Sequence, residues 1–129
     1  MKNFVLIIAG SALGGVARYW LTGVVARWRG ETFPWGTIAV NVTGAFAIGA
    51  FAALASTYDA LGGPGIWQFC VIGVLGSYTT VSAFSLQTLA LVQEGKEWRA
   101  AGNVVLSLGL CLSAAALGLL APGLLLRSG

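Results

Sequence analysis

The chain has 129 residues, of which 57% are hydrophobic and only 9% are charged. A soluble globular domain carries about 25% charged residues, so most of this surface faces something other than water. Histidine is absent and the formal net charge is only +3, which argues against a histidine metal site and against a nucleic-acid partner. The length fits a single domain over residues 1–129.

The first apolar segment runs from about residue 4 to residue 25, and a membrane helix needs about 20 such residues. Lys2 precedes it as in a signal peptide, but the segment is too long and lacks a clear cleavage site, so a first span is predicted. Gly10 and Gly14 form a GxxxG pair that lets helices pack closely. Arg18 is the only charge inside a predicted span. It either extends to the interface or, as a fixed cation, draws anions toward a pore mouth.

The second predicted span runs from about residue 35 to residue 56, after a polar loop. Thr37, Asn41 and Gly44 fall on one face of it, at helical spacing. Such a stripe either lines a path through the bundle or bonds to neighbouring helices. Asn41 is the strongest candidate for a functional role, because an amide deep in hydrocarbon needs several partners.

The third predicted span, about residues 66–92, is longer than a straight crossing requires. Its middle reads GSYTTVSAFS from Gly76 to Ser85, which places many hydroxyls at bilayer depth. Hydroxyl side chains compete with the helical hydrogen-bond ladder. We therefore predict two half-helices, about 66–75 and 81–92, with a break between them. The alternative is an unbroken helix whose hydroxyls bond back to its own carbonyls.

The fourth predicted span runs from about residue 100 to residue 120, and Pro122 and Gly123 are expected to end it. A second polar stripe lies on this span, at Asn103, Ser107 and Cys111. Cys111 and the other cysteine, Cys70, both lie in apolar runs, which favours free buried thiols over a disulfide.

Four spans place both chain ends on one side of the membrane, so the basic residues divide between the two sides. One side holds Lys2 and Arg127, and the other holds Arg27, Arg29, Lys96 and Arg99. The positive-inside rule turns this difference into only a weak bias. The chain is therefore able to insert in both orientations.

The predicted spans contain no Asp, Glu or His, and the chain has no P-loop and no nucleophile–base pair. An enzyme and an ATP-driven pump are therefore not expected. A small multidrug-type dual-topology exporter would need a membrane carboxylate as its proton carrier. Passive conduction and a non-transporting role as a membrane assembly subunit remain. The available hydroxyl, amide and guanidinium donors suit an anion.

Three segments resemble the Fluc/CrcB fluoride channel family. GSALGGVARYW (10–20) is similar to its glycine-rich first helix, FPWGTIAVNVTGAFAIG (33–49) to its second-helix signature, and GVLGSYTTVSAFS (73–85) to its broken third helix. The resemblance covers essentially the whole chain. It implies an all-α channel that exports fluoride passively across the cell (inner) membrane and reduces fluoride toxicity.

The resemblance also implies an assembly and a cofactor. The assembly is an antiparallel, dual-topology homodimer in the lipid bilayer, with two fluoride pathways. The cofactor is a structural sodium ion at the centre of the dimer, held by backbone carbonyls of the third-helix break. In this sequence those carbonyls fall on Gly76 and Thr79.

The family's pathway residues fall on specific positions here. Asn41 matches the pore asparagine, Arg18 the first-helix arginine and Thr37 the threonine at the pore mouth. Two phenylalanines flank the family's ion path, and Phe84 matches the second of them. The polar track of the fourth helix falls on Asn103, Ser107 and Cys111.

The sequence departs from the family pattern at two positions. Val81 replaces the first phenylalanine, and Ala83 replaces the threonine that follows it. Phe84 would then supply the aromatic contact alone, and the hydroxyls of Thr80 and Ser82 would share the ion.

Overall fold

In a computed structural model, which describes residues 2–30, 33–58 and 63–128, the chain is all-helical and these residues contain no strand. The side chains of Lys2 and Arg127 lie outside this description. The helices in chain order are α1 (Lys2–Arg29), α2 (Trp35–Thr57), α3 (Pro64–Trp67), a π-helical segment (Gln68–Leu75), α4 (Gly76–Tyr78), α5 (Val81–Gln93) and α6 (Glu97–Ser128).

Four helical stretches in the described residues are long and apolar enough to cross a membrane. They are Phe4–Arg29, Trp35–Thr57, Pro64–Gln93 and Glu97–Leu125. This confirms the four predicted membrane-capable helices. The first is about one turn longer than its apolar core, because the basic end of α1 stays helical up to Gly30. That glycine adopts φ +79°, and its N–H donates to the carbonyl of Ala26 at 2.8 Å, a common way to end a helix.

The prediction that Pro122 and Gly123 end the fourth helix is wrong. α6 continues through Pro122 to Ser128. Proline removes one backbone donor, but leaving the helix in an apolar environment would leave several backbone groups without partners. Pro122 is buried, and it lines a small cavity together with Phe46 and Ala50 of α2.

The third stretch contains two irregularities. The first is the π-helical segment, which the sequence analysis did not predict and which is eight residues long. The second lies at Thr79 and Thr80, here called the junction. Thr79 has φ −80° and ψ 155°, and Thr80 has φ −149° and ψ 119°, so both are extended between α4 and α5.

Glycines set how closely the helices approach. A methyl group at Gly10 or Gly14 would collide with backbone of the π-helical segment, at Phe69 and Val74 respectively. α1 therefore lies directly against this segment. Among the described helices, α2 and α6 share the largest interface. They approach closely at Gly49, which faces the carbonyl of Ala115. Bulky residues would hold these helices apart.

Candidate functional site

Asn41 on α2 pairs with the backbone of the junction. Its side-chain nitrogen Nδ2 donates to the carbonyl of Thr80 at 3.0 Å, and the N–H of Thr80 donates to its Oδ1 at 2.8 Å. The amide of Asn41 therefore bonds to both the N–H and the carbonyl of Thr80, which is extended and so makes no helical hydrogen bonds with these groups. Asn41 keeps a second N–H, since its NH₂ group has two hydrogens.

The junction also redirects two donors of the helical ladder. In a continuous helix the N–H of Thr80 would bond to the carbonyl of Gly76, but here it donates to Asn41. The N–H of Ala83 would bond to the carbonyl of Thr79, but it donates to Oγ1 of Thr80 at 3.1 Å, which caps α5. The Gly76 and Thr79 carbonyls thus lose the donors that a helix would supply.

Small residues allow the junction to lie against α2. A methyl group at Gly44 would collide with the side chain of Thr79. Thr79 itself bonds back to the carbonyl of Leu75, as Ser77 does to Gly73. These two hydroxyls therefore do bond back to helical carbonyls, as the alternative interpretation proposed, but the backbone is extended at Thr79 and Thr80.

A cavity of about 330 Å³, here called the Asn41 cavity, lies between α2, the junction, α5 and α6. Its lining combines polar groups with apolar side chains: Asn41, Ala45, Ile48, Thr79, Thr80, Val81, Phe84, Ser107, Leu108 and Cys111. It thus brings together Asn41, Thr80, Phe84 and Ser107, which the sequence analysis assigned to one pathway. A mostly apolar lining with few polar groups is typical of a binding cavity.

A second cavity of about 390 Å³, the Arg18 cavity, also has Thr80 in its lining. Its lining holds Gly15, Arg18, Tyr19, Thr22, Thr37, Thr80, Ser82, Ala83, Leu86 and Gln87. Thr80 is 7% exposed and Thr37 is 5% exposed, so both hydroxyl residues are buried where they line it. The two cavities share Thr80, so the junction contributes to the lining of both. Oγ of Ser82 lies 3.2 Å from Oγ1 of Thr80.

Two of the three residues in the polar stripe of the fourth span line the Asn41 cavity, and the third does not. Ser107 and Cys111 line the Asn41 cavity, and Cys111 is a free, half-buried thiol, as Cys70 also is. Asn103 is only 1% exposed and bonds across to α5, where its Nδ2 donates to Oγ1 of Thr88 at 2.8 Å. Asn103 therefore joins two helices, and the role of Thr88 was missed in the sequence analysis.

Gln87 is a second residue that the sequence analysis missed. It lines the Arg18 cavity, and its Oε1 is buried without a hydrogen-bond partner. Its position three residues after Phe84 on α5 is the only signal in the sequence. The same kind of buried amide oxygen occurs at Gln68, where the π-helical segment begins.

Within the spans predicted from sequence, Arg18 is the one charged residue that the structure describes, and it is half-buried beside its cavity. The membrane-capable helices are longer and carry further charges only at their ends, at Arg27, Arg29, Glu97 and Arg99. The described acidic residues, Glu94 and Glu97, lie outside the spans predicted from sequence. Glu94 pairs with Lys96 at 3.3 Å on the surface. The described residues contain no group of three or more His, Cys, Asp or Glu side chains that could hold a metal. An anion on this path would therefore meet one cation, hydroxyls and amides.

Four membrane-capable helices, with cavities between them that a few polar groups line, define a small, all-helical, multi-pass membrane protein. Residues 5–119 match the family described as CrcB-like protein, Camphor Resistance (CrcB). The chain belongs to the CrcB family.

Curated relatives match nearly the whole chain. The chain is 55% identical to fluoride-specific ion channel FluC 2 of Bradyrhizobium diazoefficiens, with 96% of this chain and 92% of that protein covered. It is 50% identical to fluoride-specific ion channel FluC of Rhodospirillum rubrum, with 90% and 91% covered. It is 48% identical to the FluC channel of Paramagnetospirillum magneticum, with 98% and 100% covered.

Proposed function

We propose that this chain is a fluoride channel, not an enzyme, that exports fluoride from the cytoplasm across the cell membrane and so reduces fluoride toxicity. The observation that carries the proposal is the pair of cavities that Thr80 lines together, in a chain whose relatives are named fluoride-specific ion channels. The spans predicted from sequence offer no carboxylate to carry protons, and Glu97 lies at the very start of the fourth helix. The membrane potential drives the ion, and it supplies about 2.3 kcal/mol per charge per 100 mV.

Each lining group has a part in the proposed path. Arg18 attracts the anion into its cavity, where Thr37 and Ser82 offer hydroxyl donors as the ion loses water. At the junction the anion passes Thr80 into the second cavity. There the remaining N–H of Asn41 donates to it, and the positive edge of the Phe84 ring contacts it. Ser107 offers a further hydroxyl on this side.

The proposed assembly is an antiparallel homodimer. Val81 lines the Asn41 cavity, yet 77% of its surface is exposed in the protomer. Leu108 lines the same cavity and is 58% exposed. A water-excluding ion path needs these open sides covered, and a second, inverted copy of the chain would cover them. The nearly balanced basic residues permit both orientations.

We also propose that a structural sodium ion lies at the centre of the dimer and that the third span is broken at mid-membrane depth. Two observations support this: the junction is extended, and the Gly76 and Thr79 carbonyls lose their helical donors. Inside a membrane, irregular backbone needs protein or ion partners. Gly76 and Thr79 of each chain would hold the ion, and the ion would neutralise converging carbonyl dipoles.

Fluoride efflux from liposomes that contain only this protein tests the function. With a potassium gradient and a potassium carrier to dissipate charge, the purified protein should release fluoride rapidly, and protein-free liposomes should not. Release that required a proton gradient and carried hydrophobic cations would instead indicate a multidrug-type exporter. No release from correctly folded protein would indicate a non-transporting assembly subunit.

A further inference from the structure

A chain of three consecutive hydrogen bonds runs from α6 to α5 beside the Asn41 cavity. The first lies within α6, the second crosses between the helices and the third lies within α5. The hydroxyl of Ser107 lies 3.3 Å from Oδ1 of Asn103, and Nδ2 of Asn103 lies 2.8 Å from Oγ1 of Thr88. Oγ1 of Thr88 in turn lies 2.7 Å from the backbone carbonyl of Phe84. Ser107 and Phe84, at the two ends, both line the cavity, whereas Asn103 is 1% exposed.

The chemistry of these groups allows only one direction for the three bonds. The Phe84 carbonyl only accepts, so Thr88 must donate its single hydroxyl hydrogen to it. Thr88 can then only accept from Asn103, which must present its NH₂ group. The amide oxygen of Asn103 therefore faces Ser107, and Ser107 must be the donor. The backbone carbonyl of α5 thus determines where the hydroxyl hydrogen of Ser107 points.

The direction of these bonds decides what the Ser107 hydroxyl offers to an anion in the cavity. The one hydrogen of Ser107 is committed to Asn103, so the hydroxyl presents lone pairs, not a donor, to an anion. The bond to Asn103 is long, since O–H···O bonds are usually about 2.5–3.0 Å. A hydrogen bond to an anion is about twice as strong as a neutral one. An anion in the cavity can therefore take the hydrogen, but only by leaving the buried Asn103 oxygen without its donor.

We propose that Asn103 competes with the transported anion for the hydroxyl hydrogen of Ser107, and that Thr88 holds Asn103 in the orientation that does so. The inference rests on the proposed fluoride path through the Asn41 cavity. Asn103 and Thr88 are then positioning residues that do not touch the ion. Their effect is to weaken anion binding at Ser107, which keeps the ion from being held too tightly to leave.

Asn103→Leu tests the competition, because leucine has a similar size but accepts no hydrogen bond. Fluoride flux through the full-length protein in liposomes would be measured over a range of fluoride concentrations. One net hydrogen bond corresponds to about a fivefold change in affinity, so the half-saturating fluoride concentration should fall about fivefold. The maximal flux should fall with it, because the ion leaves more slowly.

Ser107→Ala supplies the second arm of a double-mutant cycle. In the Ser107→Ala background the Asn103→Leu change should no longer shift half-saturation, since there is no hydrogen to compete for. A purely structural role of Asn103 would lower stability in both backgrounds and leave half-saturation unmoved. A shift that persisted without Ser107 would overturn the proposal.

Thr88→Val and Thr88→Ser form a matched pair that decides the question if Asn103→Leu does not assemble. Valine keeps the size but lets the Asn103 amide turn, so half-saturation should shift in the same direction. Serine keeps the hydroxyl and should restore the wild-type value. If the wild type conducts fluoride and the assembled Thr88→Val and Thr88→Ser variants have the same half-saturating concentration, the proposal is contradicted. Absence of flux in the wild type would instead contradict the proposed function itself.

Discussion

Asn41 has two roles in the structure, whereas the sequence shows only that a polar residue lies in a membrane span. It satisfies the N–H and the carbonyl of Thr80, and it also lines the cavity next to the junction. The second N–H of its amide is therefore held at a fixed place beside the proposed path. A residue that positions the backbone and also contacts the ion is sensitive to changes in charge and in donor count.

Asn41→Asp should abolish fluoride efflux. The carboxylate can still accept from the N–H of Thr80, but it cannot donate to the Thr80 carbonyl or to an anion, and it adds a negative charge. The lost bond should also cost about 1–3 kcal/mol of stability. Efflux from liposomes and the elution volume of the dimer would be measured together. Thr57→Val, on the same helix but outside both cavities, should keep normal flux. Normal flux in Asn41→Asp would remove Asn41 from the path.

Phe84 is expected to be the more sensitive of the two positions at which the family carries phenylalanine. Phe84→Ile removes the aromatic edge at nearly constant apolar character, so fluoride efflux should fall strongly. Val81→Phe should be tolerated, because Val81 is 77% exposed in the protomer, so an added ring meets no packed core of its own chain, and the family carries phenylalanine at this position. Efflux and dimer stability of both variants would be compared.

Packing is the competing account of these two side chains. Under it, Phe84→Ile would keep wild-type efflux in a stable dimer, and Val81→Phe would destabilise the dimer by overpacking, typically about 1–3 kcal/mol. That pair of results would end the aromatic-edge hypothesis.

At the scale of the elements, the π-helical segment and α1 depend on each other. The backbone of the segment approaches α1 where Gly10 and Gly14 have no side chain. A continuous α-helix of the same sequence would turn other residues toward α1. Only the three residues of α4 separate the π-helical segment from the junction, so the packing of α1 bears on where Gly76 and Thr79 lie.

Gly14→Ala should destabilise the protein and reduce efflux, because the methyl group would collide with the backbone of Val74 and the hydroxyl of Ser77. Overpacking of this kind costs about 1–3 kcal/mol. Gly109→Ala, inside α6 and outside the lining of both cavities, is the matched control, since nothing lies within 4 Å of a methyl group there. Thermal unfolding in detergent would compare the two variants. Equal stability would show that α1 and the segment are not closely packed in the membrane.

At the scale of the whole molecule, the protomer leaves one side of the Asn41 cavity open. We expect an antiparallel dimer to cover it. Single cysteines at exposed ends of the helices, in a background without Cys70 and Cys111, would be crosslinked in membranes. Crosslinks should join opposite ends of α6 in two chains, for example at Trp98 and Leu125. Crosslinks only between equal ends would show a parallel arrangement and contradict the proposal.

Sodium removal should act on this assembly and not on one protomer. If the Gly76 and Thr79 carbonyls of two chains hold the ion, replacing sodium with a large organic cation during purification should destabilise the dimer and lower fluoride efflux. Returning sodium should restore both. Equal dimer stability and flux in either salt would argue against a structural sodium ion.

Local patterns determined much of this protein from the sequence alone. Four apolar runs of membrane length specified four membrane-capable helices, because the cost of burying backbone in lipid depends on each segment by itself. Helical periodicity placed Thr37 and Asn41 on the face of α2 that lines the cavities, and Ser107 on the cavity face of α6. The carboxylate-free spans favoured an ion path without proton coupling.

Only the tertiary structure decided which groups meet. Asn41 and Thr80 are 39 residues apart, and their pairing depends on the depth and rotation of two helices. The bond between Asn103 and Thr88 depends on the same two quantities, which no periodicity specifies. The course of α6 through Pro122 and the π-helical segment follow from packing against α2 and α1. Hydrogen-bond partners across helices are a property of the assembled bundle, because only there do the unsatisfied groups of one helix meet those of another.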